Sequence, residues 1–61
     1  MENADLIDYA YPMMMAERKL KEAHNVLLDN DYDKGVDCLI QALAEVRLAI
    51  HSVRHMRGDH Q

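Results

Sequence analysis

An all-α fold, a two-helix antiparallel hairpin that pairs with a second copy into a four-helix arrangement, follows from three observations. Val36, Leu39, Leu43, Val46, Ile50 and Val53 recur in alternating steps of three and four, which places them along one seam of a long helix. Met13, Ala16, Leu20, Ala23 and Leu27 do the same in the first half. Between the halves stands Asp29-Asn30-Asp31, a cluster of residues that favour helix ends and turns. A hairpin can cover one seam with the other. It cannot also cover the flanking Ile40, Ala42, Ala49 and Met56, or Leu48 further round. The surplus calls for a partner surface, most simply a second copy of the chain.

Residues 1–11 form the arm. Ile7, Tyr9, Tyr11 and Met13 alternate with Leu6, Asp8 and Ala10, the period of a short strand. Asn3 before Ala4-Asp5-Leu6 could instead cap one helical turn. Pro12 marks the boundary: it biases Tyr11 away from the α region and suits the first position of a helix. An extended arm packing on a partner is the favoured reading.

Helix 1 is expected over 12–28. Residues 13–24 are strong helix formers without glycine or proline, supported by Glu17 with Lys21 and, in the weaker order, Arg18 with Glu22. The turn falls at 29–31. Asn30 can end helix 1 in the left-handed conformation, and Asp31 is the best N-cap for the next helix. Helix 2 is expected over 32–56, with Asp33 in its first turn and Arg54 and Arg57 at its end, both favoured by the helix dipole. Gly35 lies inside the first turn, where another backbone or Tyr32 could approach closely. Gly58 is a stop signal, and 57–61 are expected to fray.

Sixty-one residues make one domain, a size that is marginal alone and usually needs a disulfide framework, a metal or a partner chain. The single cysteine, Cys38, rules out an internal disulfide and reads as a small buried hydrophobe among seam residues. Its usage fits a reducing cytoplasm. Net charge is −4, so the chain is a poor binder of polyanions. No apolar run approaches a membrane span, and the acidic start does not resemble a signal peptide. A soluble cytoplasmic protein is the expectation.

Chemistry-bearing motifs are few. Asp29, Asp31 and Asp33 imitate the start of a calcium loop, but Lys34 and Ile40 stand where glycine and glutamate are needed. His51 and His55 have metal-ligand spacing, yet lie on the face away from the seam and make only two ligands, although a dimer could bring four together. His24 lies beside Leu20 and Leu27, near the expected interface. Arg57-Gly58-Asp59 is more simply a helix end than an adhesion motif. Ser52 is the one serine, and no nucleophile, base and orienting group occur together. An enzyme is therefore not expected, and neither is a metal or cofactor.

The residues expected at the dimer interface are Ile40, Leu43, Val46, Ile50 and Val53. Apolar residues left over after pairing would mark a docking surface for a further protein; Tyr9, Tyr11, Met14, Met15 and Leu48 are the candidates. Arg18, Lys19, Lys21, Arg47 and Arg54 are the one hint of nucleic acid. Glu17, Glu22 and Glu45 dilute their field.

In size, acidity and hairpin logic the chain is similar to a plasmid copy-number regulator that builds a four-helix bundle from two hairpins and binds paired RNA loops. That likeness is architectural and carries no site. More closely, DLIDYAYPMMMAERKLKEAH (5–24) and DYDKGVDCLIQALAEVR (31–47) resemble small early proteins of lambda-like bacteriophages, encoded between the exonuclease and excisionase genes. The resemblance implies a compact α-rich dimer made early in infection, with a short strand in the arm. It also implies a role in favouring lytic development and modulating the host by binding a host or phage protein. An RNA-binding regulatory dimer and a structural adaptor without regulatory output are the alternatives.

Overall fold

The computed structural model describes residues 9–58 and shows an antiparallel pair of helices, α1 (Ala10–Leu28) and α2 (Tyr32–Arg57). No strand occurs among these residues. The strand or arm expected over 1–11 lies mostly outside them. Its last part is corrected: Ala10 and Tyr11 are helical, and Tyr9 at the N-cap has α-region dihedrals.

Helix α1 thus starts two residues before Pro12, the expected first position. Pro12 falls in the first turn, where a backbone N–H has no intrahelical acceptor, so the missing donor costs nothing. The ladder begins with Met13 N donating to Tyr9 O at 3.1 Å. Along the helix, Lys19 Nζ reaches Glu22 Oε1 at 3.4 Å.

The turn is closed by backbone bonds. Asn30 adopts φ 63°; its N–H donates to Leu27 O at 2.9 Å, and that of Asp31 donates to Val26 O at 3.0 Å. This pair of bonds around a left-handed residue satisfies carbonyls that the helix end would leave open. Asp31 then caps α2, its side chain accepting from Lys34 N at 3.3 Å. Tyr32 turns back to Asn30, its hydroxyl 3.1 Å from Oδ1. At the far end Gly58 stands at φ 100°, and its N–H donates to Arg54 O and His55 O.

The contact between the helices is made of small residues. Ala16 and Ala23 of α1, the latter 1% exposed, are buried with Gly35, Cys38, Ala42 and Ala49 of α2. Gly35, Ala42 and Ala49 are seven residues apart, as are Ala16 and Ala23, so each set holds one line along its helix. Small side chains on facing lines let helices approach closely. At Gly35 the approach is closest: a Cβ there would collide with the Leu27 side chain, lying 2.7 Å from its Cγ. The neighbour that needs this glycine is therefore Leu27, rather than a backbone or Tyr32.

This corrects the expected packing of one large-residue seam on the other. The α1 seam meets α2 one residue round the helix from Val36, Leu39, Leu43, Val46, Ile50 and Val53, all of which remain exposed. No large side chain among the described residues is fully buried.

Ala42, 2% exposed at the middle of the seam, tests the close approach. Ala42→Leu is expected to destabilise the fold by about 1–3 kcal/mol through overpacking, read as a lower urea midpoint. An unchanged midpoint would mean the helices are not held at this distance.

Candidate functional site

The hairpin is a single layer of two helices, and its two faces differ. On one face Met13, Ala16, Glu17 and Leu20 of α1 and Val46, Ala49, Ile50 and Val53 of α2 line a shallow groove of about 470 Å³. Glu17 is its one charged residue. The groove follows from the seam: where alanines hold the helices together, the larger residues beside them rise as two walls. Toward the turn the same stripe of α2 continues through Leu43, Leu39 and Val36, all exposed.

Of the residues expected at an interface, Val46, Ile50 and Val53 come together in this groove. Leu43 extends the line, and Ile40 lies further round the helix, 59% exposed against 38% for Val46. Sequence periodicity finds this stripe but pairs it with the wrong partner. The heptad of small residues, Gly35, Ala42 and Ala49, is the signal that places α1 on the neighbouring line.

The five docking candidates are not gathered on one surface. Met14 borders a second depression with Glu17, Arg18 and Lys21, which shares only Glu17 with the groove. Tyr9 and Tyr11 are exposed at the start of α1, and Leu48 is exposed on α2 outside the groove. Met15 is half-buried. Consecutive helical residues point in different directions, which separates Met13, in the groove, from Met14 and Met15.

The basic residues are also divided. Arg18 and Lys21 flank Met14 on α1, Lys19 is engaged by Glu22, and Arg47 and Arg54 belong to α2. Among the described residues no group of three or more histidine, cysteine, aspartate or glutamate side chains could hold a metal ion. No described helix is long and apolar enough to cross a membrane. Cys38 is buried in the seam, away from the groove.

With this geometry established, comparison with known protein families, curated proteins and solved structures gives no match.

Met14 and Met15 provide a test of how sharply the apolar face is bounded. The double change Met14→Gln, Met15→Gln keeps helix propensity and lies off the groove. Thermal melting by circular dichroism and the sedimentation coefficient are both expected to match the parent chain. A loss of helicity or a change of mass would extend the working surface to this side.

Proposed function

We propose that the chain is a non-enzymatic protein that acts by association, and that its apolar face pairs with the same face of a second copy. The observation that carries this reading is the exposure of the whole large-residue stripe of α2, while the residues buried within the hairpin are Pro12 and the small residues of the seam. Burying an aliphatic side chain contributes about 1.5–3 kcal/mol. The stripe and the Met13 and Leu20 wall together offset the roughly 4–15 kcal/mol that association costs. A pair of hairpins then encloses the large side chains and gives a four-helix arrangement.

The likeness of residues 5–24 and 31–47 to early proteins of lambda-like phages supports a more specific role. In that role the dimer favours lytic development or modulates a host factor by protein–protein contact in the host cytoplasm. Of the exposed apolar residues outside that face, Tyr9, Tyr11, Met14 and Leu48 are the places where a second protein would be met.

Sedimentation equilibrium at micromolar concentration is expected to give twice the chain mass. A folded monomer with a cooperative melt would remove the proposal. Val46→Asp puts a carboxylate in the middle of the paired face, where burial without a partner costs several kcal/mol. Dimer and helicity should be lost together. A variant that keeps the parent circular dichroism as a monomer would show that folding does not need the pairing. For the phage role, expression during infection is expected to lower the frequency of lysogeny, and Val46→Asp is expected to abolish that effect.

A further inference from the structure

Ile40 and Leu48 are 59% and 56% exposed, and neither borders the groove. They belong to a second line on α2. It begins at Asp33 and Asp37, passes through Ile40, Ala44 and Leu48, and ends at His51 and His55, in steps of four, three, four, four, three and four. Every residue on it is exposed. At 3.6 residues per turn the line runs roughly 130° round the helix from the groove stripe and roughly 150° from the seam. It is the outer edge of the hairpin, turned away from both α1 and the groove.

That spacing reads the same from either end, with Ala44 at its midpoint. Laid antiparallel on the same edge of a second copy, it sets Asp33 opposite His55, Asp37 opposite His51, and Ile40 opposite Leu48. Ala44 then meets Ala44 at the centre. Each acid faces a base, each large aliphatic faces another, and the smallest residue lies where the helices are closest. Other arrangements lose this match. A slip of seven residues one way sets Asp33 against Leu48 and Asp37 against Ala44; the other way, it sets His51 against Ala44 and His55 against Ile40. Parallel pairing sets aspartate on aspartate and histidine on histidine. On α1, Arg18 and Lys21 would face the two aspartates, but the histidines would then lie beyond the end of that helix in either direction, and no two-fold would close the contact.

From this pattern we infer that the outer edge of α2 is a second self-association surface, occupied by the same edge of another copy in antiparallel register about Ala44. The contact is separate from the groove pairing proposed above and does not depend on it; a groove-paired dimer carries two such edges. It gives Ile40 and Leu48 to a copy of this chain and leaves Tyr9, Tyr11 and Met14 for another protein. Acid strengthens it. Histidine ordinarily takes up its proton at about pH 6.5, and aspartate loses its own at about pH 3.9. At about pH 6 both members of each pair therefore carry charge, and at about pH 8 the histidine is neutral and the attraction fades. Other charged groups stand at the rims. Arg47 and Arg54 border the line on the groove side, where Arg54 comes level with Asp33 of the other copy. Lys34 and Glu45 border it on the opposite side, where Lys34 comes level with His55 of the other copy. Helix α1 packs behind α2 and faces none of these pairs.

Cross-linking of the full chain tests the register. The solution is kept at low ionic strength, where exposed charges are least screened, with a chelator to prevent metal bridging. In a Cys38→Ala background, Ala44→Cys should cross-link to itself with a short bis-maleimide. Ile40→Cys mixed with Leu48→Cys should give a mixed dimer. Asp33→Cys should not cross-link to itself. Failure of Ala44→Cys, or self-cross-linking of Asp33→Cys, overturns the inference. The Ala44→Cys cross-link then reports on charge. Added to that chain, Asp37→Lys and His51→Glu should each slow it about tenfold at about pH 6, because each sets like charges face to face twice per contact. Mixing the two variants should bring the rate back to within about threefold of the parent, since lysine then faces glutamate at one end and aspartate faces histidine at the other. A mixture no faster than its components overturns the inference. The variant carrying both changes holds its charges throughout. Relative to it, the parent should slow by about threefold between about pH 6 and 8, and an unchanged ratio overturns the acid dependence. The groove reading fails separately. A folded monomer by sedimentation at micromolar concentration, still cross-linked through Ala44→Cys when concentrated, would remove the groove pairing and leave the edge contact. A dimer without that cross-link would do the reverse.

Discussion

Two helices can lie close together only if the side chains between them are small, and that constraint organises this hairpin. Ala16 and Ala23 face Gly35, Cys38, Ala42 and Ala49, and the glycine is required where Leu27 crosses. A seam of this kind contributes little transfer free energy, because each buried side chain is a methyl, a thiol or nothing. It does fix geometry. The helices are set side by side in one layer, and the residues immediately flanking the seam are lifted onto its faces. The groove between Met13, Leu20, Val46, Ile50 and Val53 is the direct result.

Energetics and proposed function are connected through this division of labour. Ordering a residue costs about 1–2 kcal/mol of backbone entropy, and alanine contacts alone recover little of it. The aliphatic residues that could supply the remainder point outward. Association proposed on that face would bury them, so the face that recognises a copy would also complete the core. Such coupling makes stability depend on protomer concentration.

Much of this fold is written locally. The three-and-four spacing, the left-handed Asn30, the Asp31 cap and the Gly58 stop each act within one turn of helix, and each appears where the chain indicates. Pro12 was misleading because its preference for the first helical position is one of several places where a missing N–H is free; Ala10 and Tyr11 precede it in the same turn. The larger difference concerns which line of α2 receives α1. Periodicity reports that a line is apolar, not what lies against it, and hydrophobicity ranks valine and leucine above alanine. Close approach reverses that ranking inside the hairpin. Size at seven-residue intervals was the informative quantity, and it separates an inner line of alanines from an outer line of aliphatics. That Val46, Ile50 and Val53 share one exposed line was legible in the spacing, and the groove gathers them. Tyr11, Met14 and Met15 are neighbours on one side of α1, but Leu48 belongs to α2, so no single periodicity groups all five candidates.

The turn at Asn30 has a consequence for how the chain reaches this structure. Its two backbone bonds, to Leu27 O and Val26 O, join residues only a few positions apart and close at small entropic cost. Each further contact, from Leu27 at Gly35 outward to Met13 near Val53, then closes a loop only slightly longer than the one before. The hairpin can therefore zip from its bend toward its ends, a low-contact-order route of the kind that folds in microseconds to milliseconds. The apolar stripes become aligned progressively as the helices close, so the last residues to be positioned are those at the open end, where Met13 and Val53 stand.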